Sequence, residues 1–425
     1  MSPDNTTITS DVPSPAAADR RERALSGPLL AALGLLAAFA PVAMDLYLPA
    51  FPQMVTALHT SGSLVQLTMT AFLAGGCIGQ FLFGPLSDRL GRRGPLLAGC
   101  VIAVVASVTA AAAPSIGLLI VARAVQGFMG AAGMVIGRAV IADRARGVEA
   151  ARGFTLVMLV NGVVPVIAPF LGSLLLAAGS WRVPMWFIVV VSLVTLALTA
   201  WLVPESLPAA RRAEIRAERA ASPDAGPRFE SRRFVAHAVC FVFSFSTLMA
   251  YISGSSFLYQ SVLGFGSLQY GLLFGLNAMV LTCCSTCSAR LVRHYGPGRL
   301  LSIGLCLTII GVAGVLAIVL TGAPARWILV PLAIAVGSCG FNLGNSTSLA
   351  MSAVPGASGR ASALLGGFQF GMAAVVSSAL SVLEGRGALP VAGIMVVTGV
   401  IAALARLVGA TVPFDDPAGA GTRRP

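Results

Sequence analysis

Apolar runs of about 20 residues recur along most of this chain, and no other feature of the sequence constrains the fold as strongly. A helix needs about that length to cross a hydrocarbon core about 30 Å thick, where backbone polar groups must be satisfied within the helix. Hydrophobic residues make up 56% of the 425 residues and charged residues only 10%. Soluble domains place about a quarter of their residues in charged types. The sequence therefore predicts an all-α polytopic membrane protein and excludes a soluble enzyme.

The apolar runs and the loop residues between them predict twelve transmembrane helices. The predicted spans are 28–52, 64–86, 95–115, 117–139, 153–177, 183–203, 234–259, 268–289, 300–321, 326–349, 360–383 and 387–410. A charged stretch divides them into two groups of six. We therefore expect a tail at 1–26, a six-helix bundle at 27–203, a cytoplasmic linker at 204–233, a second bundle at 234–411 and a tail at 412–425.

The net charge of +12 comes entirely from arginine, because the chain contains no lysine. The arginines concentrate in the first tail and in the loops that follow even-numbered spans. The opposite side has only Arg182, Arg326 and Arg386. The positive-inside rule then predicts that both termini are cytoplasmic. Arginines in short interhelical segments favour contact with a lipid bilayer and not with nucleic acid.

The two halves resemble each other where one span ends and the next begins. Residues 84–97 (GPLSDRLGRRGPLL) connect spans 2 and 3, and residues 289–301 (ARLVRHYGPGRLL) connect spans 8 and 9, which aligns Gly91 with Gly296. Duplicated six-helix halves with a site between them near the membrane midplane are typical of transporters. A receptor or a membrane enzyme has no need of this duplication.

Asp45 is the only carboxylate predicted inside a span, and an ionised acid there is costly unless it is solvated, paired or protonated. Pro49 cannot donate to the carbonyl of Asp45, which frees backbone polarity beside the carboxyl group. We interpret Asp45 as a protonatable or cation-binding site. The alternative is a structural acid that caps the helix near the outer interface.

Arg123 is the matching base in span 4. Counting along each helix places Asp45 and Arg123 about 10 Å inside the outer ends of their spans, so the two side chains could face one cavity. Gln126 follows Arg123 one turn later, and small residues from Gly127 onward allow close contact between helices. The alternative is a snorkelling arginine held in a tight helix pair.

Two segments have the composition of moving parts. In the loop after span 2, Gly84 and Gly91 permit a tight turn, Asp88 can accept from a helix N-terminus or an arginine, and three arginines anchor the loop at an anionic leaflet, namely Arg89, Arg92 and Arg93. In span 5, two prolines leave carbonyls unpaired and a glycine provides a small face, which predicts a kinked or swivelling gate built from Pro165, Pro169 and Gly172.

These segments resemble motifs of the major facilitator superfamily, and the resemblance covers nearly the whole chain. GPLSDRLGRR at 84–93 is similar to that family's loop 2–3 motif, RAVQG at 123–127 to its helix 4 motif, and PVIAPFLG at 165–172 to its helix 5 antiporter motif. MDLYLPAFP, VPESLP, FLYQ and GLLFGLNA resemble the bicyclomycin and chloramphenicol resistance branch of drug:proton antiporters. The resemblance implies the twelve-helix major facilitator fold and a coupling role for Arg123.

Polar side chains that are rare in the spans are the candidates for substrate contact. Those that face inward would line the cavity, and each is equally suited to a hydrogen bond between helices. The candidates are Tyr47, Gln126, Asn161, Tyr251, Tyr259, Asn277, Asn342 and Gln369.

We therefore expect a monomeric proton-coupled multidrug efflux antiporter in the bacterial inner membrane that exports amphipathic antibiotics such as chloramphenicol or bicyclomycin. The alternatives are a proton-coupled transporter of a defined metabolite and, from another class, a non-transporting receptor or membrane enzyme. No enzyme activity, cofactor or metal is expected, because the three histidines are scattered and no phosphate-binding glycine loop occurs.

Overall fold

A computed structural model describes residues 25–145, 147–214, 232–354, 358–383 and 385–411. The regular elements within these ranges are all helical. The linker expected at 204–233 is described only as far as residue 214 and from residue 232, and the two tails lie almost wholly outside the described residues.

Between residues 25 and 202, the described part of the first half forms seven α-helices and one short 3-10 turn, Leu48–Ala50. The helices are α1 (Gly27–Asp45), α2 (Phe51–Ala57), α3 (Gly62–Leu90), α4 (Arg93–Ala112), α5 (Ile116–Arg144), α6 (Gly147–Ala177) and α7 (Arg182–Leu202).

The span predicted at 28–52 lies within one candidate membrane span, Gly27–Ala57, but its helix is interrupted, because α1 ends at Asp45 and α2 begins six residues later. The cause is local. Pro49 has no N–H to donate to the carbonyl of Asp45, and Pro52 removes another donor in the next turn. The first span is therefore a broken helix with Asp45 at the break.

The second half contains α8 (Arg232–Ser256), a π-helical turn (Phe257–Val262), α9 (Ser267–Thr321), a 3-10 turn (Ala325–Ile328), α10 (Leu329–Ser352), α11 (Ser358–Val382) and α12 (Leu389–Thr411). The 55 residues of α9 would make a straight helix about 80 Å long, far more than one bilayer crossing. Gly296 interrupts it with a φ of 72° and a ψ of 157°. Among the described residues eleven helices can cross a membrane by length and hydropathy, and the break at Gly296 divides one of them into two spans. This agrees with the predicted twelve.

The helix bundle has two ends, the linker end and the far end. The linker end carries the α3–α4 turn and residues 203–214, and the far end carries the turns at 58–61, 113–115 and 178–181. The predicted repeat places Gly91 and Gly296 in equivalent turns at the linker end, and both residues have the positive φ that glycine tolerates, 94° and 72°.

Close crossings of small residues hold the first bundle together. A Cβ atom at Gly75 of α3 would lie 2.0 Å from the carbonyl oxygen of Ala124, and one at Gly127 of α5 would lie 2.0 Å from that of Phe72. Only glycine permits these backbones to approach so closely. The packing fixes α5, and with it Arg123, against α3.

Candidate functional site

A cavity of about 490 Å³ lies between the two halves, and helices from both halves form its wall. Its volume is within the range of about 300 to 1,000 Å³ that drug-sized ligands occupy. Asp45 lies on the wall at the deep end, whereas Thr347 and Met351 line it toward the linker end. Six phenylalanines make most of the aromatic surface, namely Phe72, Phe154, Phe241, Phe245, Phe274 and Phe370.

The far end is closed where the broken first span meets the π-helical turn after α8. Ser256 Oγ donates to the carbonyl oxygen of Leu48 at 2.7 Å, and Gln260 Nε2 donates to that of Pro49 at 3.1 Å. Both acceptors belong to the 3-10 turn between α1 and α2, where the carbonyl of Leu48 also accepts from the N–H of Phe51. Two irregular segments, one from each half, therefore satisfy each other.

Three more hydrogen bonds join the two halves on the same side. Gln66 of α3 donates from Nε2 to the carbonyl oxygen of Ser253 at 3.2 Å. The other two join α3 to α11, from Thr70 Oγ1 to Ser377 Oγ at 2.9 Å and from Ser381 Oγ to the carbonyl oxygen of Ser63 at 2.6 Å. The cavity is thus sealed toward the far end and extends toward the linker end.

Asp45 is the last residue of α1 and is fully buried. Neither carboxyl oxygen has a hydrogen-bond partner among the residues that the structure describes. The next residue, Leu46, turns its carbonyl oxygen toward α6, where a Cβ atom at Gly172 would lie only 1.8 Å away. The predicted gate residue Gly172 therefore allows α6 to pack directly against the break that carries Asp45.

Arg123 lies behind the cavity wall and not on it. Its guanidinium carbon is 4.2 Å from the centre of the Tyr47 ring and 4.4 Å from that of Phe72, a cation–π arrangement. The side chain donates to Gln126 Oε1, and Gln126 Nε2 donates to Ser107 Oγ at 2.7 Å. Neither a hydrogen bond nor an ion pair joins Arg123 to Asp45, both of which the structure describes.

The predicted substrate contacts separate into two groups. Tyr251 and Gln369 line the cavity. Asn277 instead donates from Nδ2 to the hydroxyl oxygens of Tyr251 and Tyr259, at 3.1 and 2.8 Å, which orients Tyr251 from behind.

The other candidates bond within the bundles. Tyr47 shares a hydrogen bond of 3.0 Å with Thr68, and Asn342 donates to Thr308 Oγ1 at 2.9 Å. Gln126 holds Arg123, as described above. The side chain of Asn161 lies outside the described part of the chain. The helix-to-helix alternative therefore accounts for Tyr47, Gln126, Tyr259, Asn277 and Asn342.

At the linker end, the α3–α4 turn is organised by Arg92. Its Nη1 donates to Asp88 Oδ1 and to Ser87 Oγ, both at 2.8 Å, and its Nε donates to Asp143 Oδ2 of α5 at 2.9 Å. Burial acts to lower the pKa of Arg92, but the bonds and charges of Asp143 and Asp88 outweigh it and raise that pKa above its usual value. Asp88 thus pairs with an arginine, whereas Arg89 is exposed.

Glu205, just after α7, caps the start of α4. Its carboxylate accepts from the backbone N–H groups of Arg92 at 2.8 Å and Arg93 at 3.2 Å, and Arg93 Nη2 donates to the carbonyl oxygen of Ala200 at 2.8 Å. Partial burial acts to raise the pKa of Glu205, but these backbone hydrogen bonds, with one from Leu207, hold it below its ordinary value. An acid at a helix N-terminus also complements the helix dipole.

The prolines of α6 have different surroundings. Pro165 lines the cavity, and the carbonyl oxygen of Pro169 accepts a hydrogen bond of 2.9 Å from Ser173 Oγ. The predicted gate residue Gly84 differs from Gly172. A Cβ atom at Gly84 would have its nearest neighbour, Val135, at 4.0 Å, so the position is not crowded.

The family model described as "Major Facilitator Superfamily" matches residues 33–378, which is most of the chain. The chain belongs to the major facilitator superfamily. It is 33% identical over 375 residues to an "Uncharacterized MFS-type transporter YdgK" of Bacillus subtilis, which covers 88% of this chain and 93% of that protein. It is 26% identical over 373 residues to a "Bicyclomycin resistance protein homolog" of Haemophilus influenzae, over 88% of this chain and 94% of that one.

Solved structures of this superfamily share the fold. A D-xylose–proton symporter aligns with a TM-score of 0.73 at 18% identity, over 91% of this chain and 97% of the symporter. The family membership indicates a membrane transporter and not an enzyme, and this neighbour shows the shared fold. The predicted resemblance to the superfamily and to its drug-resistance branch is confirmed.

The sequence did not predict the roles of three residues of the site. Glu205, just after α7, and Asp143 of α5 complete the α3–α4 turn, and Arg138 lines the cavity. Glu205 belongs to the VPESLP motif, and no site role was predicted for Asp143 or Arg138. No sequence signal indicated that Glu205 or Asp143 approaches the α3–α4 turn, or that Arg138 reaches the cavity.

Proposed function

We propose that this transporter is a proton-coupled efflux antiporter for amphipathic drugs. The observation that carries the proposal is the position of Asp45 on the wall of a drug-sized cavity between the two halves, where its carboxyl group is fully buried and has no hydrogen-bond partner among the described residues. A group that can gain and lose a proton beside the substrate can couple proton transport to substrate transport, because binding of the proton then changes the affinity for the substrate and binding of the substrate changes the affinity for the proton.

The cavity wall favours an amphipathic substrate over a sugar or another polyhydroxylated metabolite. Its uncharged polar side chains are few among the described lining residues, namely Gln80, Tyr251, Thr347, Ser362 and Gln369, and the rest is mostly aromatic and aliphatic. A polyhydroxylated substrate would leave many of its hydroxyl groups unbonded there. A relative named as a bicyclomycin resistance protein homolog supports the same choice.

The arginine distribution supports a cytoplasmic linker end, with both termini in the cytoplasm of a bacterial cell. In this orientation the cavity extends toward the cytoplasm and is closed toward the outside. Drug would enter from the cytoplasm, and a proton would reach Asp45 when the far end opens. Arg123, held behind the wall by Gln126, supplies a fixed positive charge near the carboxyl group. The protein would work as a monomer, with one such cavity in each chain.

Efflux from membrane vesicles with an imposed pH gradient tests this function. We expect chloramphenicol transport by the wild-type protein, no gradient-driven transport by Asp45→Asn, and nearly as large a loss in Arg123→Ala. Glu149→Gln is the matched control, because Glu149 is an exposed carboxylate on α6 away from the cavity.

Two results would contradict different parts of the proposal. Gradient-driven efflux that persists in Asp45→Asn would show that another group carries the proton. Wild-type protein that moves neither chloramphenicol nor other amphipathic drugs, but moves a metabolite, would refute drug efflux and leave a proton-coupled metabolite transporter.

A further inference from the structure

Arg138 is a cation on the cavity wall for which the function described so far has no use. We propose that Arg138 binds an anionic group of the substrate, so that the cavity selects amphiphiles with a terminal carboxylate, or a similarly compact anion, over lipophilic cations. This inference rests on the proposed function only in taking the cavity as the substrate site.

The direction of the side chain indicates a role inside the cavity. Arg138 lies six residues before the end of α5 and donates from Nε to the carbonyl oxygen of Met134 at 2.9 Å. Since α5 runs from the far end to the linker end, this bond holds the guanidinium back toward the middle of the bundle. An arginine that snorkels would extend the other way, to the interface at the linker end.

Arg138 has no counterion among the residues that the structure describes. The nearby acid of α5, Asp143, is bonded to Arg92 in the α3–α4 turn. The bond to Met134 uses only Nε, so the two terminal nitrogens remain for a ligand. A planar guanidinium with two free nitrogens matches a carboxylate, which can accept both hydrogen bonds at once.

The net charge of the ionisable groups around the cavity is positive. Of the described lining residues only Asp45 and Arg138 carry charge, and Arg123 lies just behind the wall. With Asp45 ionised, these three groups sum to one positive charge, and with Asp45 protonated they sum to two. The field in the cavity is therefore positive throughout the proposed proton cycle, which favours anions and opposes cations.

The spacing of the charged groups fits an elongated ligand. Fifteen residues separate Arg123 and Arg138, about 22 Å along α5, so the anion site lies closer to the linker end than the proton site does. Gln80 of α3 lines the same cavity, and its Nε2 has no partner among the described residues. The cavity thus holds a second hydrogen-bond donor that is free for a ligand.

The test compares two fluorescent amphiphiles that differ only in charge, dansyl-phenylalanine with a carboxylate and dansyl-phenylalaninamide with a neutral carboxamide. Binding to purified protein in detergent at pH 7 is followed by the rise in dansyl emission. We expect wild type to bind the carboxylate about 10- to 100-fold more tightly, the usual worth of hydrogen bonds between charged groups. Arg138→Gln should abolish that preference and leave the affinity for the amide unchanged.

Arg299→Gln is the control, since Arg299 is an exposed arginine of the second half outside the cavity. It should keep the wild-type preference, and Arg138→Lys should keep part of it, because lysine retains the charge and loses the fork. Equal affinities in wild type, no binding of either dye, or a preference that survives in Arg138→Gln would overturn the proposal. If Arg138→Gln does not fold, a full preference in Arg138→Lys overturns the guanidinium contact and a partial one supports it.

The two proposals fail separately. Dye binding is measured without a pH gradient, so an absence of coupled efflux in vesicles leaves this result unchanged. Conversely, equal binding of the two dyes by wild type would refute the anion site and leave the vesicle test of gradient-driven chloramphenicol efflux unaffected.

Discussion

The closure of the far end should depend on one buried hydroxyl, that of Ser256. Its Oγ donates to the carbonyl oxygen of Leu48 at 2.7 Å and accepts from Gln260 Nε2 at 3.0 Å. Ser256→Ala removes both bonds, while the carbonyl of Leu48 keeps the N–H of Phe51 and Gln260 Nε2 keeps the carbonyl of Pro49. The loss therefore costs about 0.5 to 1.5 kcal/mol, the net worth of a hydrogen bond, and shifts the equilibrium toward opening by about 2- to 13-fold.

Hydrogen–deuterium exchange measured by mass spectrometry reads this shift directly. Amide exchange in the two segments that meet at the closure, Leu48–Ala57 and Phe257–Val262, should accelerate by the same factor, since protection reports the free energy of opening. Ser246→Ala is the matched control. Ser246 is also a buried serine of α8, but its Oγ bonds only to the carbonyl oxygen of Val242 in its own helix.

The reasoning fails if Ser256→Ala exchanges no faster than Ser246→Ala in these two segments. Faster exchange over all of α8 in both variants would likewise count against it, because it would report a weaker helix and not an open closure.

The α3–α4 turn gives two more expectations. Gly91→Ala would place a Cβ atom 2.6 Å from Glu205 Oε2 at a φ of 94°, so thermal unfolding should show a free energy of unfolding lower by about 1 to 3 kcal/mol. Gly84→Ala, whose Cβ atom would have its nearest neighbour at 4.0 Å, should melt at the wild-type temperature. Equal melting temperatures of the two variants would contradict this. The lowered pKa of Glu205 means that its stabilisation is present above the ordinary value of 4.5 and is lost as the pH falls through the lower folded value. Glu205→Gln should therefore lower the melting temperature at pH 7 and differ less from wild type in acid, and an equal difference at both pH values would contradict this sign.

Features that depend on local pattern could be predicted from the sequence. The apolar runs predicted the spans, and the repeat predicted the glycine turns at Gly91 and Gly296, because chain length and backbone conformation are set by neighbouring residues. The same reasoning identified Asp45 as costly to bury, and the structure places it on a cavity wall.

Features that depend on which face of a helix meets which neighbour could not be predicted in this way. Asn277 and Tyr251 are both polar residues in apolar helices, yet only Tyr251 reaches the cavity. The position of Arg123 behind the wall follows from the rings of Tyr47 and Phe72, which come from two other elements. Helix rotation is set by packing across the whole bundle, so sequence spacing alone leaves it open.

The broken first span places the proposed proton site and the far closure on one short piece of backbone. Asp45 ends α1, the carbonyl of Leu46 abuts Gly172 of α6, and the next carbonyls toward the far end, those of Leu48 and Pro49, accept the bonds from α8 and the π-helical turn. A change at the carboxyl group therefore has only two residues, Leu46 and Tyr47, to act through before it reaches the closure. Since Gly172 fixes Leu46 against α6, movement of Asp45 relative to α6 must be absorbed by these same residues. If protonation of Asp45 opens the far end through this segment, Asp45→Asn should alter amide exchange at Leu48–Ala57 even without drug.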